Sequence, residues 1–361
     1  MSRFTGMAVL AAAGALAVAG CGSSNDNNGG SASNGGGGKK TASAKPKTVC
    51  AIMPDADSSS RWVHNDQPTL TKQFEQAGFK ILIQNAENDT QKYATIAQQE
   101  LTGGCNLMVL TDLNGAGIQV TQQAHNQGIP VIAYDRPIKG ADYYVSFDNE
   151  KVGQLEGQMI VDGLKAEGKD PKTAKVVYSG GDPTDGNAAQ FYKGANDVMT
   201  AAGIKPAFKT PGTWDQVKSQ TYFEQAYTAL HGNVDAVWAA NDTNAGSAIT
   251  VLDKNGKKVP VSGQDATPPG LQNVLLGKQY GTVYKPYQLE AAATVKLGKQ
   301  LLAGQKPNIT KKAPDGTPFI AEPPTIVTAK NMEQVFTDGN AKASDVCTGK
   351  VKALCAKYNI Q

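Results

Sequence analysis

Charged and amide side chains follow the apolar segments of this chain, which is where an α/β protein places the residues of a ligand site. Asp135 and Arg136 come directly after Val131–Tyr134, a short apolar run that is typical of a buried parallel strand. Ligands of an open α/β sheet lie beyond the carboxyl ends of its strands. The two residues would also suit a surface ion pair or a helix cap, and this stretch alone leaves both interpretations open.

The same pattern recurs at other predicted strand ends. The residues at these positions are Arg61, Trp62, Asp185, Asn187, Asn241, Asp242, Gln264, Asp265 and Lys285. Asp and Asn are also common at helix starts, and we interpret Asp242 and Asn149 as caps. Capping alone does not explain such a recurrence in both halves of the chain. The pattern therefore predicts a polar cleft between two facing lobes.

The predicted cleft suits a small neutral polyol. Each sugar hydroxyl donates one hydrogen bond and accepts others, and hydrogen bonds to charged partners are the stronger ones. The expected acceptors are Asp135, Asp185 and Asp265, and the expected donors are Arg61, Arg136 and Lys285. Their opposite charges balance, which favours a neutral ligand over a phosphate or a carboxylate.

Two tryptophans could complete a sugar site. A pyranose ring has an apolar C–H face that stacks on an indole, so Trp62 and Trp214 are candidates to enclose it. The alternative is that both are half-exposed structural residues. Trp238 lies inside an apolar run and is expected to belong to the core.

Length, composition and charge limit the classes of protein. The 361 residues are 40% hydrophobic and 19% charged, enough for two globular domains. The net charge is +3, and basic residues are not clustered beyond Lys39-Lys40 and Lys311-Lys312, which argues against nucleic acid as a partner. The three histidines have no zinc-site spacing, so neither a metal nor a cofactor is expected.

The N-terminus predicts export. Arg3 precedes an apolar stretch over residues 7–18, which is too short to serve as a stable membrane span and is typical of a signal peptide. Val18-Ala19-Gly20-Cys21 resembles the lipobox of bacterial lipoproteins, in which the cysteine is diacylated and becomes N-terminal. Residues 22–47 are rich in Gly, Ser, Asn and Lys and predict a flexible tether. We expect a lipid anchor on the outer face of the cytoplasmic membrane.

Four cysteines remain after Cys21, and four allow three pairings. Export favours two disulfide bonds. Cys50 lies in the first predicted strand and Cys105 opens the third, and these strands are neighbours in the common doubly wound order. We therefore favour Cys50–Cys105 together with the local pair Cys347–Cys355, with free buried thiols as the alternative.

From residue 48 onward, apolar runs alternate with helical segments. The predicted strands are 48–53, 80–84, 107–110, 131–134 and 143–147, followed by 175–179, 207–209, 236–240, 259–263 and 281–284. Asp89 is expected to cap a helix that runs to Leu101, and a long helix is predicted over 150–164. This alternation predicts an α/β fold of two doubly wound, Rossmann-like lobes with parallel sheets.

The body of the chain, from about residue 48 to 330, resembles the type I periplasmic sugar-binding proteins of ATP-driven (ABC) importers, and most closely their D-xylose-binding branch. The motifs that carry the resemblance are Ser60-Arg61-Trp62, Tyr134-Asp135-Arg136, the segment 146–153, Gly180-Gly181-Asp182-Pro183 with Asp185 and Asn187, Asn241-Asp242, Ser262-Gly263-Gln264-Asp265-Ala266 and Thr282-Val283-Tyr284-Lys285-Pro286. The opening 53–62 is also similar to the related binders of glucose, galactose and arabinose.

The resemblance implies a set of sugar contacts. Carried over by position, they are Arg61, Asp135, Arg136, Asp185, Asn187, Trp214, Asn241, Asp265 and Lys285, to which Trp62 is added as the second stacking residue. The spacing from Trp214 to Asn241 supports the choice of Trp214 over Trp238.

The resemblance also implies two lobes joined by a three-crossing hinge, the type I periplasmic binding protein fold. The expected domains are a signal peptide over 1–20, the lipidated cysteine and tether over 21–47, an N-terminal lobe over 48–150 and 286–313, and a C-terminal lobe over 151–285 and 314–361. The crossings are expected near 149–151, 285–287 and 314–324, the last within a surface loop over 310–324.

By the same resemblance, the expected function is that of the substrate-binding lipoprotein of an ABC sugar importer. As a monomer, it would bind a monosaccharide, D-xylose, between the lobes and deliver it to a membrane permease with a cytoplasmic ATPase. One alternative is a binder of glucose, galactose or arabinose that also serves a receptor as a sugar sensor. Another is a sugar-processing enzyme with two carboxylates as acid and base. Basic residues near each carboxylate favour permanent ionisation and argue against the enzyme.

Overall fold

A computed structural model describes residues 46–56, 58–59 and 61–360 of the chain. The expected signal peptide, Cys21 and most of the tether lie outside the described residues, as do Asp57 and Ser60. Among the helices of the described part, none is both long and apolar enough to cross a membrane.

The described residues form eleven strands and twelve α-helices. The strands are β1 Thr48–Met53, β2 Lys80–Asn85, β3 Leu107–Leu110, β4 Val131–Tyr134, β5 Tyr143–Phe147, β6 Val176–Ser179, β7 Pro206–Lys209, β8 Ala236–Ala239, β9 Thr282–Tyr284, β10 Phe319–Glu322 and β11 Thr325–Val327. The helices are α1 Gln67–Gln76, α2 Thr90–Thr102, α3 Ala116–Asn126, α4 Asn149–Ala166, α5 Gly186–Ala201, α6 Gln216–Ala229, α7 Asp242–Lys254, α8 Pro268–Leu275, α9 Tyr287–Leu302, α10 Glu333–Thr337, α11 Ala343–Val346 and α12 Lys352–Lys357.

The first sheet has the strand order β10-β5-β4-β3-β1-β2, and all of its strand pairs are parallel. Its central strands β1, β3 and β4 are buried and apolar, as a parallel sheet covered by helices on both faces requires. The order of the first five strands confirms the predicted doubly wound arrangement. The carboxyl ends of these strands therefore meet along one edge, where Asp135 follows β4.

The second sheet is built on the parallel order β7-β6-β8. The strand predicted over 259–263 is reduced to one bridge between Val261 and Val237, because Pro260 lacks an amide hydrogen for a regular ladder. A second bridge joins Gln264 to Val283 in β9, which pairs antiparallel with β11. Strands β1–β5 and strands β6–β8 thus belong to two separate sheets.

The segment over 310–324 differs from its prediction as a surface loop. Phe319–Glu322 forms β10 and pairs with β5 in the first sheet, with Phe319 buried and stacked on Tyr144 at a ring distance of 4.5 Å. The chain then passes to β11 in the second sheet. The prediction that the C-terminal lobe starts at residue 314 is therefore wrong, because β10 belongs to the first sheet. The last passage between the sheets lies over 323–324.

The structure contains the favoured cysteine pairing, with disulfide bonds Cys50–Cys105 and Cys347–Cys355. The first joins β1 to the start of the segment that enters β3, and both of its cysteines are buried. The second closes a short loop near the C-terminus, where Cys355 packs into a small apolar cluster with β11 and α8 residues.

The two disulfide bonds should stabilise the fold unequally. A cross-link restricts the unfolded chain more when it closes a longer loop, and the separations are 55 and 8 residues. The loop-entropy relation gives about 4 kcal/mol for Cys50–Cys105 and about 2.5 kcal/mol for Cys347–Cys355. Urea unfolding of Cys50→Ala/Cys105→Ala and of Cys347→Ala/Cys355→Ala should give losses in this order. Equal losses would show that the loop length does not govern their contribution.

Candidate functional site

All ten residues predicted to bind sugar line one cavity between the loops of the two sheets. They are Arg61, Trp62, Asp135, Arg136, Asp185, Asn187, Trp214, Asn241, Asp265 and Lys285. The first four follow strands of the first sheet, and the other six lie in the second half of the chain, with Asn187 in the first turn of α5 and Lys285 directly after β9. The cavity thus lies at the carboxyl ends of both sets of strands, where parallel α/β sheets place their ligands.

The cavity wall also contains Ser58, Ser59, Phe191 and Gln264, which the set of predicted site residues lacked. Ser58 and Ser59 share the loop of Arg61. Phe191 lies four residues after Asn187 in α5, a spacing that places both on one helix face. Helical periodicity counted from Asn187 could have indicated Phe191. Gln264 was noted in the sequence as a residue at a strand end but was not predicted to contact the sugar.

Arg61 organises the wall on the first sheet. Its guanidinium is 2% exposed and forms ion pairs with Asp66 at 2.7 Å, Asp135 at 2.6 Å and Glu290 at 2.7 Å. Asp66 accepts from both Nε and Nη2, while Nη1 donates to Asp135. Burial alone would lower the pKa of Arg61, but the three carboxylates outweigh it and raise this pKa well above its ordinary value.

Local backbone geometry and aromatic packing fix the position of Arg61. Trp62–Asp66 forms a π-helical turn ahead of α1, and this turn returns Asp66 to the side chain of Arg61. The guanidinium carbon lies 4.6 Å from the ring centroid of Trp62 and 4.5 Å from that of Tyr287. These distances are typical of cation–π contacts, so the donor side of Arg61 is held rigidly.

Asp135 carries a negative charge into the cavity. Burial opposes its ionisation, but Arg61, Lys285 and Arg136 together lower the pKa of its carboxyl below the ordinary value. Its backbone φ is 59°, a left-handed conformation that Asp adopts more readily than most residues. This conformation ends β4 and turns the carboxylate towards Arg61.

Contacts between the two sets of loops converge on Asp185 and Asn187. Asp185 Oδ2 lies 3.3 Å from Arg136 Nε and accepts a hydrogen bond from Trp214 Nε1 at 3.1 Å. Burial raises the pKa of Asp185, and Arg136 offsets this only in part. Asn187 donates to the backbone oxygen of Asp135 at 2.8 Å. These contacts join α5 of the second half directly to β4 of the first.

Lys285 and Asp265 form the third ion pair of the cavity. Their Nζ and Oδ1 atoms are 2.8 Å apart, and the two side chains are 6% and 7% exposed. Asp265 has a φ of 95°, and Ser59 Oγ approaches its Oδ2 at 3.5 Å from the opposite loop. The buried acidic and basic groups of the cavity are thus matched with one another.

Trp214 forms a flat wall between the cavity and solvent. Its indole lies on Gly181, where a Cβ atom would come within 2.0 Å of the ring, so only glycine fits beneath it. Phe191 meets it edge to face at 6.5 Å. Trp62 instead is 2% exposed and packs against the two arginines, whereas Trp238 is buried in the core as predicted.

The expected caps are wrong by one residue. Asn241 caps α7 by accepting from the amide of Asn244, and Asp148 caps α4 by accepting from the amide of Lys151. Asp242 lies inside α7 and accepts hydrogen bonds from Thr267, Gln279 and Thr282, while burial raises its pKa to about 7. Asn149 lies inside α4.

Asn149 takes part in the junction of the two halves. Its amide donates to Tyr144 Oη at 3.2 Å and to Asn187 Oδ1 at 3.0 Å. The start of α4 is thus tied to β5 on one side and to α5 on the other.

The cavity is narrow, with a volume of about 30 Å³. One water needs roughly 10–15 Å³ on this measure, so the space corresponds to about two waters. A ring-shaped ligand therefore requires the opposing loops to separate, or its hydroxyls to replace the contacts that the side chains make with one another.

A metal is not suggested by the arrangement of possible ligands. In the described part of the chain, the one group of three close ligand atoms is Cys50, Glu100 and Cys105. The two sulfur atoms are already bonded to each other. Burial raises the pKa of Glu100 to about 8, which favours a neutral carboxyl beside this disulfide.

Two carboxylates on Arg61 should respond differently to neutral replacements. Burial raises the pKa of Glu290 well above 4.5, despite the opposing effect of Arg61. Glu290→Gln keeps an acceptor for Nη2 and should cost under about 1 kcal/mol. Asp66→Asn removes one of two acceptors from a buried ion pair and should cost about 3–5 kcal/mol. Urea unfolding at neutral pH measures both, and equal costs would contradict this assignment.

The same pair predicts a pH dependence. Because the folded-state pKa of Glu290 exceeds the unfolded value of 4.5, its contribution to stability is complete below that pH and is lost as the pH rises. The free energy of unfolding of the wild type, relative to Glu290→Gln, should therefore fall as the pH rises above 4.5. A difference that stays constant from acid to neutral pH would contradict the raised pKa.

Comparisons with known proteins agree with this geometry. Residues 50–306 match the periplasmic binding protein domain family. The chain is 32% identical to the D-xylose-binding periplasmic protein of Escherichia coli, over 79% of this chain and 88% of the other. It is 30% identical to the multiple sugar-binding periplasmic receptor ChvE of Rhizobium radiobacter, over 84% and 93%.

A solved structure shows the same fold. It is an ABC transporter solute-binding protein from Clostridium phytofermentans with bound β-D-glucose, and it aligns with a TM-score of 0.75 and 28% identity over 83% of this chain and 100% of the other. These relatives are substrate-binding proteins and not enzymes. The chain belongs to the periplasmic binding protein family and has its type I fold, as an exported sugar-binding protein of ABC transporters.

Proposed function

We propose that this protein binds one monosaccharide in the cavity between the two lobes and delivers it to a membrane permease powered by a cytoplasmic ATPase. The observation that carries the proposal is the convergence of ten polar and aromatic residues, from loops of both sheets, on one buried cavity. The charges around it are matched in pairs, which suits a neutral polyol better than an anion.

The role of each group follows from its chemistry. Asp135, Asp185 and Asp265 accept hydrogen bonds from sugar hydroxyls, and the basic residues Arg61, Arg136 and Lys285 donate to sugar oxygens. Asn187 and Asn241 complete the polar wall. The ring lies against Trp214, whose indole is supported from behind by Gly181.

Binding is coupled to a hinge motion in this proposal. The lobes are 48–148 with 286–322, and 151–285 with 325–360, and the chain passes between them near 149–151, 285–287 and 323–324. A ligand that contacts both lobes stabilises the closed form relative to the open one. The contact of Arg136 with Asp185 spans the lobes at 3.3 Å, so it is broken on opening and shared with the sugar on closure.

D-xylose is the sugar that we propose first. The E. coli relative is a D-xylose-binding protein. A wider range that includes glucose, galactose or arabinose is the second candidate, because another relative is a multiple sugar-binding receptor and a structural neighbour holds glucose. A role as a sensor for a membrane receptor would be compatible with either range.

The proposed setting is the outer face of the cytoplasmic membrane. Residues 1–20 would direct export, and Cys21 would carry the lipid that anchors the protein. The residues over 22–47 would then serve as the tether of a monomeric binding protein. Metabolic labelling with a radioactive fatty acid, with Cys21→Ser as the control, tests the anchor.

A panel of pentoses and hexoses tests the function directly. A ligand present at 100 times its dissociation constant adds roughly 2.7 kcal/mol to stability, so a thermal melt of the full chain should shift upward by several degrees. We expect the largest shift with D-xylose. Absence of a shift with every sugar of the panel would refute the sugar-binding proposal, whereas equal shifts with several sugars would favour the multiple-sugar alternative.

Trp214 should decide whether stacking contributes. Trp214→Ala should weaken binding of the preferred sugar at least tenfold, about 1.4 kcal/mol, because the platform for the ring is removed. Trp214→Phe keeps an aromatic face and should lose less. Isothermal titration calorimetry measures both dissociation constants. If the alanine variant bound as tightly as the wild type, Trp214 would have no stacking role.

A further inference from the structure

A second, larger cavity lies just outside the proposed monosaccharide site. Its volume is about 540 Å³, and it shares Ser58, Arg136, Asp185 and Trp214 with the inner cavity. The two spaces are therefore adjacent, with these four side chains between them. Only the side chains of this shared wall separate a ligand in the inner cavity from the space of the outer one.

The outer cavity has the size of a ligand site. Pockets for small molecules measure about 300–1,000 Å³, and the outer cavity lies within this range while the inner one, at about 30 Å³, does not. Side chains on opposite sides of the inner cavity contact one another, as Arg136 does with Asp185, whereas the two sides of the outer cavity enclose a much larger space. Closure around one ring thus leaves room for a substituent on that ring.

Both lobes contribute polar groups to the outer cavity. Asn88 and Asn114 come from loops of the first sheet, and Thr184, Thr213 and Lys218 come from the second half. Thr184 Oγ1 donates to Asn114 Oδ1 at 2.9 Å across the opening. Amide, hydroxyl and ammonium groups of this kind are suited to the hydroxyls of a sugar.

Apolar surface lies beside these polar groups. Trp214 is common to both cavities, and Val217, which is 76% exposed, lies in the outer wall with Pro137. A sugar ring needs both kinds of contact, because its C–H face is apolar and its edge is polar. The outer cavity therefore offers the same two kinds of contact as the inner cavity, polar side chains and an aromatic face, in a wider space.

The charge of the outer cavity selects among sugars. Five aspartates line it, namely Asp55, Asp112, Asp182, Asp185 and Asp215, against Arg136 and Lys218. A uronic acid or a phosphorylated sugar would bring a further negative charge near these carboxylates and would be repelled. A neutral sugar would not.

We propose that the outer cavity binds a second, neutral sugar ring that is linked through a glycosidic bond to the ring in the inner cavity. The protein then takes up neutral disaccharides as well as monosaccharides. This inference rests on the proposed function, since it requires the first ring to lie in the inner cavity.

The test compares a monosaccharide with its β-1,4-linked disaccharide, xylose with xylobiose, by isothermal titration calorimetry on the full chain. The wild type should bind the disaccharide with a dissociation constant within tenfold of that of the monosaccharide. A disaccharide whose second ring is a uronic acid should bind at least fivefold more weakly than xylobiose.

A double variant locates the second ring. Asn88→Gly/Lys218→Ala removes two polar groups from the outer wall, and glycine suits the backbone φ of 60° at residue 88. It should weaken xylobiose at least fivefold and change xylose less than twofold. The matched control is Asn359→Gly/Lys352→Ala, which changes an asparagine with a φ of 55° and a lysine near the C-terminus. The control should leave both sugars unaffected.

The outcomes separate the two proposals. If xylose binds but xylobiose does not, or if the double variant and its control bind xylobiose equally, the second-ring site is refuted and the monosaccharide site stands. Equal binding of xylobiose and its uronic acid counterpart would also contradict a ring placed among these aspartates. If neither xylose nor any other monosaccharide of the panel binds, the proposed function itself fails.

Discussion

The buried guanidinium of Arg61 is the constraint on which the cleft depends. A charge removed from water costs several kcal/mol unless it is paired, and the guanidinium of Arg61 donates hydrogen bonds to the carboxyl groups of Asp66, Asp135 and Glu290. Its partners come from three parts of the chain: Asp66 from the helical turn after β1, Asp135 from the end of β4, and Glu290 from α9. The hydrogen bonds of this one guanidinium thus fix the positions of the loop after β1, the end of β4 and helix α9 relative to one another.

The same requirement explains why the cleft is matched in charge. Arg61 with Asp135, Arg136 with Asp185, and Lys285 with Asp265 leave little net charge for a ligand to neutralise. A ligand gains affinity only by replacing these contacts with others of equal quality, because an unpaired buried charge is expensive. Hydroxyl groups can do this, since each one donates and accepts. An anion would leave one of the acidic partners without a donor, so we expect this pairing to favour neutral sugars.

Local patterns predicted much of the fold and of the site, and long-range contacts account for the rest. Short apolar runs located nine of the eleven strands, and the residues that follow them include every proposed sugar contact except Trp214, because strand ends in parallel sheets share one edge. Trp214 was found by its stacking chemistry and by the family resemblance. Phe319–Glu322 was missed because its neighbours in the chain include Pro and Gly, and only pairing with β5 makes it a strand. Glu290 was missed because it is 229 residues from Arg61, and helix periodicity does not show which buried carboxylate reaches a distant guanidinium.

The position of Trp214 connects the site to its surroundings. Gly181 removes the side chain that would otherwise lift the indole, and Phe191 fixes its edge, so the ring presents one flat face at the point where the inner and outer cavities meet. Moving the indole inward would fill the narrow inner cavity. Moving it outward would break the hydrogen bond from Trp214 Nε1 to Asp185 Oδ2, which would leave that oxygen with Arg136 alone. In the proposed binding mode, this hydrogen bond and Gly181 therefore set both how closely a ring is held in the inner cavity and how far a longer sugar extends into the outer one.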